Sequence, residues 1–67
     1  MMKKICFADN LKVLRKSKKL TQAQLAQIMG VDQRTISAWE KGVCEPSFSM
    51  LSKLCDFFDE TFDSILT

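Results

Sequence analysis

The sequence predicts an all-α fold of five short helices, and three observations lead there. Apolar residues recur at three- and four-residue spacing, and no stretch sustains the strict alternation of a half-buried strand. Residues that open helices, Thr21, Asp32, Ser47 and Thr61, stand immediately before periodic segments. Gly30 and Gly42, the only two glycines, fall where two of those segments must stop.

In the first helix, Phe7, Leu11 and Leu14 follow at intervals of four and three and so share a face. Asp9 near its start and Lys16 and Lys18 near its end suit the helix dipole, and the helix ends around Lys18. Thr21 with Gln24 three residues later makes a capping box that opens the second helix. Its apolar stripe is Leu25, Ile28 and Met29, with Ala26 small enough for a close neighbour, and Gly30 stops it after barely two turns. Asp32 then caps a third helix that ends at Gly42. Two short helices joined by a tight, glycine-containing turn have the outline of a helix-turn-helix.

A turn containing Pro46 leads to the Ser47 cap of a fourth helix, whose expected buried face is Phe48, Leu51, Leu54, Cys55 and Phe58. Thr61 opens a fifth that ends near Leu66, with Phe62, Ile65 and Leu66 apolar. The loops are short and no repeat, linker or low-complexity stretch interrupts them. Residues 1–67 therefore read as one domain, with residues 1–5 expected to be disordered.

A chain of 67 residues with 46 % apolar content can build one core, but not a core and a deep substrate pocket as well. Domains near this size bury only about 60 % of their unfolded surface. The chain has no histidine, which removes the usual general base near neutral pH and the commonest metal ligand. Cys6, Cys44 and Cys55 are odd in number and lack CxxC spacing, so they read as reduced thiols, with Cys55 buried. No nucleophile–base pair or phosphate-cradling loop is visible. The expectation is a non-enzyme that takes no metal and no cofactor. The apolar run after the N-terminal lysines is shorter than a signal-peptide core, and no segment approaches the ~20 residues of a membrane span, which points to a soluble cytoplasmic protein.

The formal charge of +2 is too small to argue for a nucleic-acid partner, so placement has to carry that case. Lys3, Lys4, Lys12, Arg15, Lys16, Lys18 and Lys19 all precede residue 20, whereas Asp56, Asp59, Glu60 and Asp63 lie near the end. This asymmetry fits either two solvated faces or a partner for each.

The third helix is informative. At roughly 100° per residue, Gln33, Arg34, Ser37, Ala38 and Lys41 fall on one arc, Thr35, Ile36 and Trp39 lie opposite, and Glu40 sits at the border. The outward arc offers an amide, a guanidinium, a hydroxyl, a methyl and an ammonium. In a major groove, arginine grips guanine O6 and N7, glutamine pairs with adenine N6 and N7, serine donates or accepts, and alanine touches a thymine methyl. A surface helix can also carry polar residues outward for no purpose but solvation.

The stretch TQAQLAQIMGVDQRTISAWEKG resembles the phage-repressor and Cro-type (XRE-type) helix-turn-helix family at Thr21-Gln22, Leu25-Ala26, Gly30-Val31, Thr35-Ile36-Ser37 and Glu40-Lys41-Gly42. The likeness extends from Leu11–Arg15 through Pro46, Leu51 and Leu54 to Asp63-Ser64-Ile65-Leu66. It implies the five-helix lambda-repressor-like DNA-binding fold, with the second and third helices as the reading pair. Carried over by position, Gln33, Arg34, Ser37 and Ala38 are implied to contact bases, and Gln22, Thr35 and Lys41 to contact phosphates. Arg15 and Glu40 match a pair that often bonds beneath the reading surface. The sequence departs from the pattern at Lys19 and Asp59, where glycine or asparagine usually fills a left-handed cap. Val43 and Cys44 replace bases, which removes a phosphate contact, and Glu60 takes a usually apolar position.

The function expected is sequence-specific binding of double-stranded DNA by a transcriptional regulator, a repressor that occupies a palindromic operator as a homodimer. Phe57, Phe62, Ile65 and Leu66 are candidates for the dimer contact or for internal packing of the last helix. The alternative is an antitoxin-like or other protein-binding module for which DNA is secondary.

Overall fold

Short helices depend on their ends, because the first N–H groups and last C=O groups lack partners within the helix. The computed structural model describes residues 7–67. Within them five helices follow in order, α1 Phe7–Ser17, α2 Gln22–Met29, α3 Gln33–Lys41, α4 Phe48–Phe58 and α5 Phe62–Leu66. Lys3, Lys4, Cys6 and the expected disorder of residues 1–5 lie outside the described residues.

Every start signal acts as read. Thr21 Oγ1 accepts from Gln24 N at 3.1 Å while Thr21 N donates to Gln24 Oε1 at 2.8 Å. Asp32 Oδ1 accepts from Arg34 N, and Ser47 Oγ from Met50 N. Thr61 Oγ1 accepts from Ser64 N, whose own hydroxyl accepts from Thr61 N and donates to Glu60 Oε1 at 2.6 Å. The last bond gives the carboxylate at position 60 a polar partner.

The first four helices close in one way. A left-handed residue follows the last turn, and its own N–H and that of the next residue turn back to the final carbonyls, as in a Schellman motif. Gly30 and Gly42 take this place with φ of 74° and 73°, and Lys19 and Asp59 take it with 57° and 56°. Leu20 N bonds Arg15 O, Val31 N bonds Ala26 O, Val43 N bonds Ala38 O and Glu60 N bonds Cys55 O, all at 2.9–3.2 Å. Reversal within two or three residues is what lets such short helices form a bundle.

The core is a contiguous cluster of Phe7, Leu11, Leu25, Ala26, Met29, Ile36, Trp39, Leu54, Cys55, Phe58 and Ile65. α3 packs on both α1 and α2, and α5 packs on α1 and α4. Two side-chain-to-backbone bonds tie helices together: Asn10 Nδ2 donates to Ile65 O at 2.9 Å, and Lys53 Nζ donates to Met29 O at 3.2 Å. Burial, then the nearby Asp56 and Glu60 carboxylates, pushes the Cys55 thiol above its ordinary pKa, while Cys44 is exposed. Among the described residues no helix is long and apolar enough to cross a membrane.

Two expectations need correction, and for Ile65 the choice left open falls to internal packing. Ile28 is 42 % exposed, because Leu25, Met29 and Ala26 fill the arc a two-turn helix can bury, and Ile28 falls roughly 60° outside it. Phe48 is 74 % exposed. As the first residue of α4 its side chain tilts back beyond the N-terminus and past the core, where its ring meets that of Phe62 with centroids 5.0 Å apart. Ile65 is fully buried and belongs to the core, so it offers nothing to a second chain.

Candidate nucleic-acid interface

Ile36 is fully buried and Trp39 nearly so, and together they fix the roll of α3 about its axis. Truncating a buried isoleucine of this kind costs about 2–5 kcal/mol. The Asp32 carboxylate is occupied with the backbone of Arg34, which leaves the side chains of Gln33 and Arg34 exposed at the N-terminal end of the helix. Ser37 and Ala38 are half-buried, and Lys41 is exposed on the last turn. Arg34, Ser37, Ala38 and Lys41 border one shallow depression together with Val43. Gln33 lies just N-terminal to Arg34, and Thr35 is half-buried. The sequence reading leaves Val43 out of this surface. The signal that could have placed it there is Gly42, since the residue after a left-handed cap folds back over the last turn.

Beneath the surface lies a closed polar network. Arg15 Nε donates to Glu40 Oε2 at 2.7 Å and Nη2 donates to Glu40 Oε1 at 3.1 Å, a bidentate pair. The third guanidinium nitrogen, Nη1, donates to Leu20 O at 2.7 Å. Both residues are buried, Arg15 at 8 % and Glu40 at 5 % exposure, so the pair joins α1 to α3 away from water. Burial alone would push the Glu40 carboxyl up. Hydrogen bonds from Arg15 and Gln22, with the charges of Arg15 and Lys12, outweigh it and hold the carboxyl below its ordinary value. The Glu40 hydrogen bond raises the Arg15 guanidinium further against the opposing effect of burial.

Gln22, the first residue of α2, donates from Nε2 to Glu40 Oε1 at 3.1 Å. The resemblance assigns this side chain to phosphate; here one of its two amide N–H groups is committed inward, and a primary amide keeps a second. The helix N-terminus beside it favours an anion. Of the remaining candidates, Phe62 is 37 % exposed and Leu66 half-buried. Phe57 is half-buried, edge-on to Phe58 at 4.9 Å and beneath the Lys18 ammonium at 5.4 Å.

A helix-turn-helix family profile matches residues 11–65. The chain belongs to the helix-turn-helix family. This helix-turn-helix domain is 37 % identical over 60 residues to YqaE, an uncharacterized HTH-type transcriptional regulator of Bacillus subtilis, covering 90 % of this chain and 52 % of that protein. The chain thus spans about half the length of that relative. The P22 c2 repressor, solved in complex with a synthetic operator, superposes with a TM-score of 0.84 at 30 % identity, over 91 % of this chain and 92 % of that one. The fold is therefore that of a phage-repressor-type DNA-binding domain. Fe(II)-HppE, crystallised with the alternative substrate (S)-1-HPP, contains a similar arrangement, with a TM-score of 0.83 at 26 % identity over 98 % of this chain and 35 % of that one. Five helices alone do not decide function, and the surface of α3 has to.

Proposed function

We propose that this helix-turn-helix domain reads an operator in double-stranded DNA and serves a cytoplasmic transcriptional repressor that occupies its site as a dimer. The observation that carries the proposal is the division of α3: Ile36 and Trp39 are sealed inward while Gln33 and Arg34 stand exposed at its N-terminal end. That end of the second helix is the part of a helix-turn-helix that reaches base edges. Arg34 suits a guanine, Gln33 an adenine, Ser37 either, and Ala38 a thymine methyl. Thr35, Lys41 and the second amide N–H of Gln22 serve the flanking phosphates, which set register without specifying sequence. The Arg15–Glu40 pair holds these groups in place before DNA arrives.

The mechanism is occupancy and requires no chemistry. One recognition helix reads only a few base pairs, so useful specificity takes two copies. Their helices would enter successive major grooves about 34 Å apart on a palindromic site. The surface proposed to join the copies is the exposed Phe48–Phe62 pair. A groove of about 250 Å³ lined by Phe7, Glu45, Pro46, Leu51 and Leu66 draws on the same two helices, α4 and α5. The likeness to the operator-bound P22 c2 repressor supports this reading.

Selection from randomised duplexes with the purified protein tests it. The expected product is a palindrome with half-sites about one helical turn apart, bound with a shallow salt dependence because few phosphates are neutralised per copy. Recovery of no consensus would contradict the proposal.

A further inference from the structure

We infer that Val43, which lies outside α3, is a specificity-determining residue that recognises the 5-methyl group of a thymine. The inference rests on the DNA-reading role proposed above for the same face.

Val43 is 75 % exposed, yet the segment that carries it is fixed rather than loose. Two bonds fix it. The left-handed Gly42 reverses the chain with its N–H on Trp39 O at 3.2 Å, and Val43 N then donates to Ala38 O at 3.0 Å. This geometry commonly brings the residue after the cap against the one three positions before the helix end, here Ala38. Most of the valine nevertheless remains in water, so helix closure does not account for its size.

What surrounds it points to a ligand. Val43 and Ala38 share a depression of about 270 Å³ with Arg34, Ser37 and Lys41, so an apolar patch lies among residues that carry a guanidinium, a hydroxyl and an ammonium. A guest for such a site carries a small apolar group beside hydrogen-bond acceptors and negative charge. In the major groove that description selects thymine, the one base with a methyl group there, flanked by base acceptors and the phosphate backbone. Cytosine presents only a C–H at the equivalent carbon. The loss of a base at position 43 thereby exchanges a sequence-blind phosphate contact for a sequence-reading apolar one.

Deoxyuridine differs from thymidine by that methyl group alone, which makes the test specific. Each thymine of the selected operator is replaced in turn by deoxyuridine, and affinity is measured for the wild-type protein and for Val43→Ala. Exposure and the open surroundings of Val43 leave the fold of the variant intact, which its thermal unfolding verifies. At one thymine per half-site, the wild type should lose about three- to fivefold in affinity, the scale of one buried methyl group, and Val43→Ala should lose less than half of that factor. A 5-methylcytosine at the same step should recover part of the wild-type affinity. The inference is overturned if no thymine shows a loss that depends on Val43, if Val43→Ala weakens thymine and uracil duplexes equally, or if the operator has no thymine on that face. Failure of the DNA-reading role itself is distinct: the wild-type protein would then select no duplex at all.

Discussion

Glu40 and Arg15 stand 25 residues apart in the chain and meet through a bidentate contact shielded from water. Because each removes the other's uncompensated charge, Glu40→Ala should destabilise the domain by about 3–5 kcal/mol, measured by urea unfolding at neutral pH. Replacing both partners with apolar residues of similar size should cost much less. The same pair sets an acid limit. The Glu40 carboxyl is held below its ordinary value of 4.5 in the folded state, so its contribution is complete above that pH. It is lost as pH falls through the lower folded value. Unfolding followed from pH 6 to pH 3 should show stability declining below about 4.5, and Glu40→Gln should flatten that decline. At this scale the sequence was only partly legible. Helical spacing left Glu40 at the border between faces, and resemblance alone proposed its partner. The bond from Gln22 could not be read, because it depends on how closely α2 approaches α3.

Among the elements, caps decide the outcome. Lys19 pays the strain of a left-handed backbone that glycine avoids, a cost of about 1–2 kcal/mol. Lys19→Gly should therefore stabilise by about 1 kcal/mol, a rise of roughly 4–8 °C in Tm for a domain of this size. Asp59→Gly should give less, since aspartate tolerates this conformation better. Gly42→Ala should lower stability by about 1–2 kcal/mol from backbone strain alone, because an added Cβ would meet no atom within 4 Å. Thermal unfolding of the three variants checks the ranking. Helix starts and stops were readable because caps are local chemistry, decided within three or four residues. Burial was less so. Ile28 and Phe48 obey the apolar period, yet both are exposed, one at the edge of the buried arc and the other at a helix end that overshoots the core. That Val43 borders the same depression as Arg34 and Ala38 was not legible, since its position depends on the three-dimensional reversal at Gly42.

For the whole molecule, the reading surface and the aromatic pair should be separable. Phe62→Glu, placed beside the exposed Phe48, should leave the monomer folded, because Phe62 lies outside the buried core. It should abolish cooperative occupancy of the two half-sites while binding to a single half-site persists, as resolved by gel shift. Most of the fold was legible because five amphipathic segments with strong ends admit few arrangements. The contact proposed between copies was not, since Phe57, Phe62, Ile65 and Leu66 share one apolar signature and only packing separates the buried Ile65 from the others. The central claim is that α3, seated on Ile36 and Trp39, turns Arg34 toward base edges. The direct measurement is the affinity of Arg34→Ala and Gln22→Ala for the selected operator and its single-base variants. Arg34→Ala should cost about 1–3 kcal/mol and erase discrimination at one base pair, whereas Gln22→Ala should weaken every duplex alike. An Arg34→Ala protein that keeps both its affinity and its sequence preference would contradict the account.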